Sequence, residues 1–178
     1  MLQKCTILKV ARVFFDEPTK NHYLKEICRK ANLAHTSVKN KLDELIDENI
    51  IEKKIEKKGE REFPYYYANR NNTYFKYKKI DNYLRILNSG LIEFLRDKLM
   101  PSTIILFGSY SKGEDIEDSD IDLFLECNEK NIDLGKFEGT FSRDIQIHFS
   151  NDFNSFSKEL KNNILNGITL YGNVEAFK

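Results

Sequence analysis

The 178-residue chain is long enough for one medium domain or two small ones, each with its own hydrophobic core. Its 40% hydrophobic and 31% charged residues are typical of a folded globular protein and exclude a disordered chain. No apolar stretch approaches the roughly 20 residues that cross a bilayer, and the first five residues lack the apolar core of a secretory signal. Three widely separated cysteines without a CxxC spacing (Cys5, Cys28 and Cys127) are consistent with a reducing compartment. We therefore expect a cytoplasmic protein that does not enter a membrane.

The zero net charge hides a division between the two halves of the chain. Residues 1–80 carry 18 Lys and Arg against 11 Asp and Glu, a net charge of +7. Residues 81–178 carry 10 against 17, a net charge of −7. This asymmetry predicts two domains with different partners, a polyanion for the first and a metal cation for the second.

The N-terminal half has the pattern of three helices followed by a β-hairpin. Apolar residues recur at helical spacing through residues 8–15, through residues 23–31 and again from Val38 to Ile46, where Thr36 is the expected N-cap. Residues 50–55 and 62–67 read as two strands joined by a charged turn that contains Gly59. This order resembles the winged helix-turn-helix family, and it predicts such a domain over residues 1–72.

In that family the third helix enters the DNA major groove and the hairpin, or wing, contacts the DNA backbone. The resemblance therefore implies a DNA-binding surface made of the start of the third helix and the wing. Its residues are Thr36, Ser37, Lys39, Asn40, Lys41, Lys57, Lys58 and Arg61. Hydroxyl and amide groups reach base edges, while cations neutralise phosphates.

Other partners stay open for this half. Winged helices also serve as dimerisation or protein-docking modules, and a hairpin rich in Lys and Glu is in some proteins only a solvated turn. Because winged-helix DNA binders are commonly two-fold symmetric, we expect a homodimer. Residues 73–100 then predict two connecting helices, separated near Gly90 and ending before Pro101.

A turn after a buried strand is the first chemical feature of the C-terminal half. Residues 103–107 form a continuous apolar and β-branched run, as expected for a strand covered on both faces. The run leads directly into Gly108 and Ser109. Glycine allows the backbone to turn tightly and to approach a phosphate closely. Backbone N–H groups and the Ser109 hydroxyl are then suited to hold an anion.

A pair of aspartates follows on the next predicted strand, residues 118–125. Strand alternation places Asp120 and Asp122 on one face, with their side chains roughly 6–7 Å apart at the base. Two carboxylates so placed repel each other, and a divalent cation between them reverses that interaction. Mg²⁺ prefers carboxylate oxygens and also binds nucleotide phosphates.

Together, Gly108-Ser109 and Asp120-Ile121-Asp122 resemble the signature of the DNA polymerase β-like nucleotidyltransferase superfamily, most closely its minimal nucleotidyltransferases. The resemblance covers about residues 90–175 and implies an α/β (α+β) fold, with a small mixed-sheet transferase domain over residues 101–178. It implies Mg²⁺ or Mn²⁺ as cofactor, and a nucleoside triphosphate as substrate. Gly108 and Ser109 would hold the triphosphate. Since Tyr110 stands where many relatives carry Arg, Lys112 is the expected phosphate-facing cation.

The family takes a third carboxylate from a later strand, here predicted over residues 143–149. Asp144 is the favoured candidate, and Gln146 is the alternative position, which would leave only two carboxylates. The resemblance implies that Asp120 and Asp122 bind both metals and that Asp144 binds the one beside the attacking hydroxyl. His148 lies on the same predicted strand face as Asp144 and Gln146, where a structural role is the simpler interpretation.

Three functions fit these observations. The first is an active enzyme that transfers a nucleotidyl group, AMP from ATP, to a protein, a small molecule or an RNA end. The second is a DNA-binding transcriptional regulator whose transferase fold senses a nucleotide or is inactive. The third combines both in an antitoxin-like protein, because minimal nucleotidyltransferases often pair with a partner protein that they modify.

Overall fold

The structure, a computed structural model, describes residues 5–173 except for the side chains of Lys58 and Asn154. It divides into two units, Met1–Lys76 and Tyr77–Lys178. The boundaries at residues 72 and 100 stay predictions. None of the helices between residues 5 and 173 is long and apolar enough to cross a membrane.

The N-terminal unit consists of three helices and a small antiparallel sheet. Its elements in chain order are α1 (Thr6–Asp16), β1 (His22–Tyr23), α2 (Leu24–Ala31), α3 (His35–Asp47), β2 (Ile51–Lys58) and β3 (Arg61–Ala68). Strand β3 lies between β1 and β2. The three helices pack around fully buried side chains that include Phe14, Ile27 and Leu42. The three helices and the hairpin follow the order that the sequence predicts, whereas the winged-helix assignment stays a prediction.

The prediction that Thr36 caps α3 is wrong. The helix begins at His35, and Ala34 occupies the N-cap position in an extended conformation with no side-chain hydrogen bond. The first turn closes through the Val38 N–H, which donates to the Ala34 carbonyl at 3.0 Å. Thr36 therefore lies inside the first turn with an exposed side chain.

The C-terminal unit is built on a four-stranded sheet. Its elements are α4 (Asn72–Ser89), whose first residues belong to the N-terminal unit, α5 (Leu91–Leu99), β4 (Ile104–Phe107), α6 (Gly108–Lys112), β5 (Ile121–Leu125), α7 (Gly135–Phe141), β6 (Ile145–Phe149), α8 (Lys158–Leu165) and β7 (Ile168–Tyr171). The strand order is β6-β5-β4-β7, with β5 and β6 parallel and the other pairs antiparallel. This confirms the predicted α+β class and the mixed sheet.

Two apolar cores cover the two faces of this sheet. On one face, Leu106 and Leu123 pack in a cluster with residues of α5 and α7. On the other face, Phe107 and Phe124 pack in a smaller cluster that includes Ile164 of α8. Each fully buried side chain of this size stabilises the fold by about 1.5–3 kcal/mol. Because alternate residues of β5 face opposite sides, Asp122 shares its face with Phe124.

Two strands begin later than the sequence pattern predicts. Strand β5 starts at Ile121 and β6 at Ile145, so Asp120 and Asp144 each lie directly ahead of a strand. Between residues 153 and 165 the chain forms a 3₁₀ turn, Phe153–Ser155, followed by α8. Ser157 separates them because its hydroxyl oxygen caps α8, accepting from the Leu160 N–H.

Candidate active site

Gly108 and Asp122 are packed against each other at the end of the central strands. Phe107, the last residue of β4, pairs with Asp122 of β5. Gly108 follows with φ +72°, a left-handed conformation that L side chains rarely adopt. A Cβ atom at Gly108 would lie 2.1 Å from Asp122 Oδ2. The glycine therefore both forms the turn and leaves the space that the carboxylate occupies.

The Asp122 carboxyl group is in an environment that disfavours its charge. Burial raises its pKa, the neighbouring His148 lowers it, and the negative charge of Asp120 raises it again. The net direction is upward. The two aspartates are thus near enough to repel, as the sequence predicts, and a cation beside them would relieve the cost of the charge.

Asp120 and Asp144 line one cleft of about 500 Å³. Its other lining residues are Glu117, Asp118, Ser119, Glu138, Gly139, Ser142 and Arg143. A backbone hydrogen bond of 2.9 Å from the Ile121 N–H to the Asp144 carbonyl joins the two strand entries. The cleft is large enough for a small ligand, and its acidic wall favours a cation. Gly108 and Asp122 are not among its lining residues.

The register between β5 and β6 bears on the third carboxylate. Asp122 pairs with Gln146, and Phe124 pairs with His148. The side chains of Asp120, Asp122 and Asp144 do not form a group whose ligand atoms all lie within 4.8 Å of one another. Asp144 thus lines the same cleft as Asp120, whereas the residue that pairs with Asp122 on β6 is Gln146. The choice between Asp144 and Gln146 stays open.

The predicted nucleotide-binding residues occupy the short helix α6. Ser109 is half-buried, and Lys112 is exposed in the last turn. Tyr110 is 1% exposed and packs in the core, so its side chain does not replace the arginine of the relatives at the surface. Lys112 is accordingly the exposed cation of this helix.

A buried ionic cluster holds the loop that leads to Asp120, and sequence reasoning missed it. The side chains of Lys78, Asp115 and Arg143 are 1%, 1% and 5% exposed. Both cations contact Asp115 Oδ2, the lysine at 3.0 Å and the arginine at 2.9 Å. Asn82 donates to Asp115 Oδ1 at 2.8 Å and to the Tyr110 carbonyl at 2.9 Å.

Arg143 also connects this loop to the entry of β6. Its guanidinium donates to the carbonyls of Ile116, Glu117 and Ser119, the latter two at 2.8 and 3.4 Å. The residue next to it is Asp144. A charged residue directly ahead of an apolar strand is the sequence signal that could have indicated this contact. The arginine therefore fixes the backbone on both sides of the acidic cleft.

The predicted DNA-binding residues lie mainly at the surface of the N-terminal unit. Thr36, Lys39, Asn40, Lys57 and Arg61 are exposed, and Ser37 and Lys41 are partly buried. Lys41 forms an ion pair with Glu44, and Lys57 Nζ lies 3.4 Å from Glu62 Oε1. The side chain of Lys58 lies outside the described part of the chain. Their role in DNA binding stays a prediction.

A second group of potential metal ligands, Glu17, His22 and Glu26, lies in the N-terminal unit. Lys30 forms ion pairs with both glutamates, at 2.7 Å for Glu26 Oε1, and His22 Nδ1 lies 3.3 Å from the same oxygen. Burial raises the pKa of Glu17, but hydrogen bonds and charges of Lys20 and Lys30 outweigh this and lower it to about 2. The group is an ion-pair network in which an ammonium already holds the carboxylates.

The C-terminal half is similar to known nucleotidyltransferases. Residues 89–176 match the protein-family model described as "Polymerase beta, Nucleotidyltransferase". A Methanocaldococcus jannaschii protein named "Putative protein adenylyltransferase" is 49% identical over 39 residues, which cover 22% of this chain and 39% of that protein. The chain thus matches well under two thirds of the length of that relative. No solved structure gives a significant match. These findings support the nucleotidyltransferase superfamily for the C-terminal half.

Proposed function

We propose that the chain is a metal-dependent nucleotidyltransferase that transfers AMP from ATP to an acceptor, coupled to a DNA-binding domain. The observation that carries this proposal is the packing of the Asp122 carboxylate over Gly108, with Asp120 beside it, within the segment that matches the nucleotidyltransferase family. The turn at Gly108 leaves no room for a side chain, and the carboxylates of Asp120 and Asp122 repel each other. Both features suit a site for a cation and a phosphate.

The donor set fits a divalent cation of the kind that nucleotidyltransferases of this family typically use. Asp120, Asp122 and Asp144 offer carboxylate oxygens, which Mg²⁺ and Mn²⁺ accept as ligands. The raised pKa of Asp122 supports the fit because burial and the charge of Asp120 both disfavour an unneutralised carboxylate. When bound, such ions supply positive charge to the phosphate oxygens of the nucleotide.

The residues of this chain would then have the following roles in nucleotidyl transfer. The N–H groups around Gly108, the Ser109 hydroxyl and Lys112 bind the triphosphate. Asp144 accepts the proton of the acceptor hydroxyl, whose oxygen forms a bond to the α-phosphorus. The bond between that phosphorus and the bridging oxygen to the β-phosphate breaks, and pyrophosphate leaves.

The acceptor is proposed to be a protein hydroxyl. The name of the Methanocaldococcus jannaschii relative describes transfer of AMP to a protein, which supports this choice for the present chain. An antitoxin-like arrangement, in which the chain modifies a partner protein, is compatible with it. The N-terminal unit would recruit double-stranded DNA through the exposed start of α3 and the wing, as a homodimer. Its basic charge and its order of helices and strands support this assignment.

The experiment is a transfer assay with α-labelled ATP, GTP, CTP and UTP, with Mg²⁺ or Mn²⁺, and with candidate acceptor proteins. Asp122→Asn should abolish transfer because it removes one negative charge from the cation site. Asp97→Asn, at an exposed position in α5, is the matched control and should retain activity. Metal and nucleotide binding without turnover, across a broad set of acceptors, would contradict the enzyme.

A second function is favoured by one observation: Gln146, the alternative to Asp144 at the third-acid position, is the residue that pairs with Asp122. A site with two acids would hold a metal nucleotide without a base, and the chain would be a DNA-binding regulator that senses it. In that case ATP with Mg²⁺ would change the affinity for duplex DNA, and no label would be transferred.

A further inference from the structure

His148 faces the candidate metal site from strand β6. Its Nε2 lies 3.7 Å from Asp122 Oδ1. The parallel register pairs His148 with Phe124, two residues beyond Asp122 on the same face of β5. The imidazole is held edge-on to Phe107, with ring centroids 5.1 Å apart. The histidine is therefore fixed beside the carboxylate by two strands.

The Nε2 atom of this histidine faces the Asp122 carboxylate but does not come within hydrogen-bonding distance of it. It is shielded from solvent and makes no hydrogen bond among the described residues. A separation of 3.7 Å from the carboxylate oxygen is too long for a hydrogen bond. Buried polar atoms in folded proteins are nearly always hydrogen-bonded, so the gap between this nitrogen and the carboxylate oxygen is a place where a cation could bind both atoms.

The spacing fits a shared metal ion. Zn²⁺, for example, forms bonds of roughly 2.0–2.1 Å to an imidazole nitrogen and roughly 2.0–2.2 Å to a carboxylate oxygen. Two such bonds span up to about 4.2–4.3 Å, so one ion can contact both atoms across 3.7 Å. The negative charge of Asp120 also acts on Asp122 and adds to the attraction for a cation.

We propose that His148 Nε2 and the Asp122 carboxylate together bind a divalent cation, and that the imidazole makes the site prefer Mn²⁺ to Mg²⁺. An imidazole ligand is accepted readily by transition metals, whereas Mg²⁺ favours oxygen ligands. Gln146 pairs with Asp122 in the strand register, and the histidine two residues later adds a nitrogen ligand beside Asp122, while Asp144 lines the cleft with Asp120. This inference rests on the proposed function in one respect: the cation bound by His148 and Asp122 is taken to be the one that binds the nucleotide phosphates.

The test measures Mn²⁺ binding and the atoms bound to it. Mn²⁺ is titrated into the full chain and into His148→Gln, His35→Ala and Asp122→Asn, with circular dichroism as a check of folding. His35 is an exposed histidine of α3 and is the matched control. Pulsed electron paramagnetic resonance then reports whether an imidazole nitrogen is bound to the Mn²⁺.

The wild type and the His35 variant should show imidazole nitrogen coupling. His148→Gln should lose it and bind Mn²⁺ at least about tenfold more weakly, with a smaller change for Mg²⁺. Bound Mn²⁺ without nitrogen coupling in the wild type, or unchanged Mn²⁺ affinity in a folded His148→Gln, would overturn the inference but leave the proposed function intact. Nitrogen coupling without any nucleotide transfer would contradict the enzyme and support the histidine ligand. Absence of Mn²⁺ binding by the wild type would overturn both.

Discussion

Replacing Gly108 with alanine tests the geometry of the site at a single atom. The added Cβ would lie 2.1 Å from Asp122 Oδ2, and real Cβ contacts essentially never fall below 3.0 Å. The carboxylate must therefore retreat by about 1 Å, because the other side of the contact is the backbone turn itself. A misplacement of about 1 Å in a catalytic group can cost on the order of 10²-fold in rate. The φ of +72° adds about 1–2 kcal/mol of backbone strain to the variant.

Gly90→Ala is the matched control for this strain. Gly90 has a φ of +79°, and a Cβ atom there meets nothing within 4 Å. Both variants should lose about 1–2 kcal/mol of unfolding free energy in urea, but only Gly108→Ala should lose Mn²⁺ affinity and the roughly 10²-fold in transfer rate. Equal Mn²⁺ affinity and equal activity in the two variants would refute the assignment of the contact to the metal site.

Three further perturbations follow from the structure. Lys78→Met removes one of the two cations that contact the buried Asp115 carboxylate and should lower the unfolding free energy by about 3–5 kcal/mol. Lys79→Met, at the exposed neighbouring position, should change the unfolding free energy little. Similar urea midpoints for the two variants would contradict a stabilising role of the cluster. The pKa of Glu17 is lowered from 4.5 to about 2, so the stability contributed by its ionised form is present above pH 4.5 and is lost as the pH falls towards 2. Glu17→Gln should flatten that part of the curve of unfolding free energy against pH. An unchanged curve would show that the ion pairs of Glu17 do not stabilise the fold. Lys57→Glu should weaken duplex DNA binding and reduce the salt slope by about 1, which Lys130→Glu in the other unit should leave unchanged; an unaltered slope for Lys57→Glu would exclude the wing as a DNA contact.

The elements around the site were predictable where the pattern is local. The apolar run before Gly108 predicts a buried strand, and the structure has β4 there with all four residues buried. The alternation in residues 121–125 likewise predicts β5. The strand starts were predicted too early because Asp120 and Asp144 fit the alternation, yet the loop before Asp120 is held by side chains rather than by strand pairing.

The buried ionic cluster was beyond the reach of sequence patterns. Lys78 and Asp115 are 37 positions apart, and each alone has the character of a surface residue. Helix α7 was also missed, because Gly135 and Gly139 weaken its helical signal. Which β6 residue lies next to Asp122 depends on the strand register, and only the fold supplies that register.

Transfer of a nucleotidyl group is tested most directly by which phosphate of ATP becomes attached to the acceptor. The chain is incubated with Mg²⁺ or Mn²⁺, acceptor protein and ATP labelled at either the α- or the γ-phosphate. The α label alone should become attached to the acceptor, and Asp122→Asn should lose this transfer while Asp97→Asn keeps it. Attachment of the γ label, or undiminished transfer by Asp122→Asn, would contradict nucleotidyl transfer by this site.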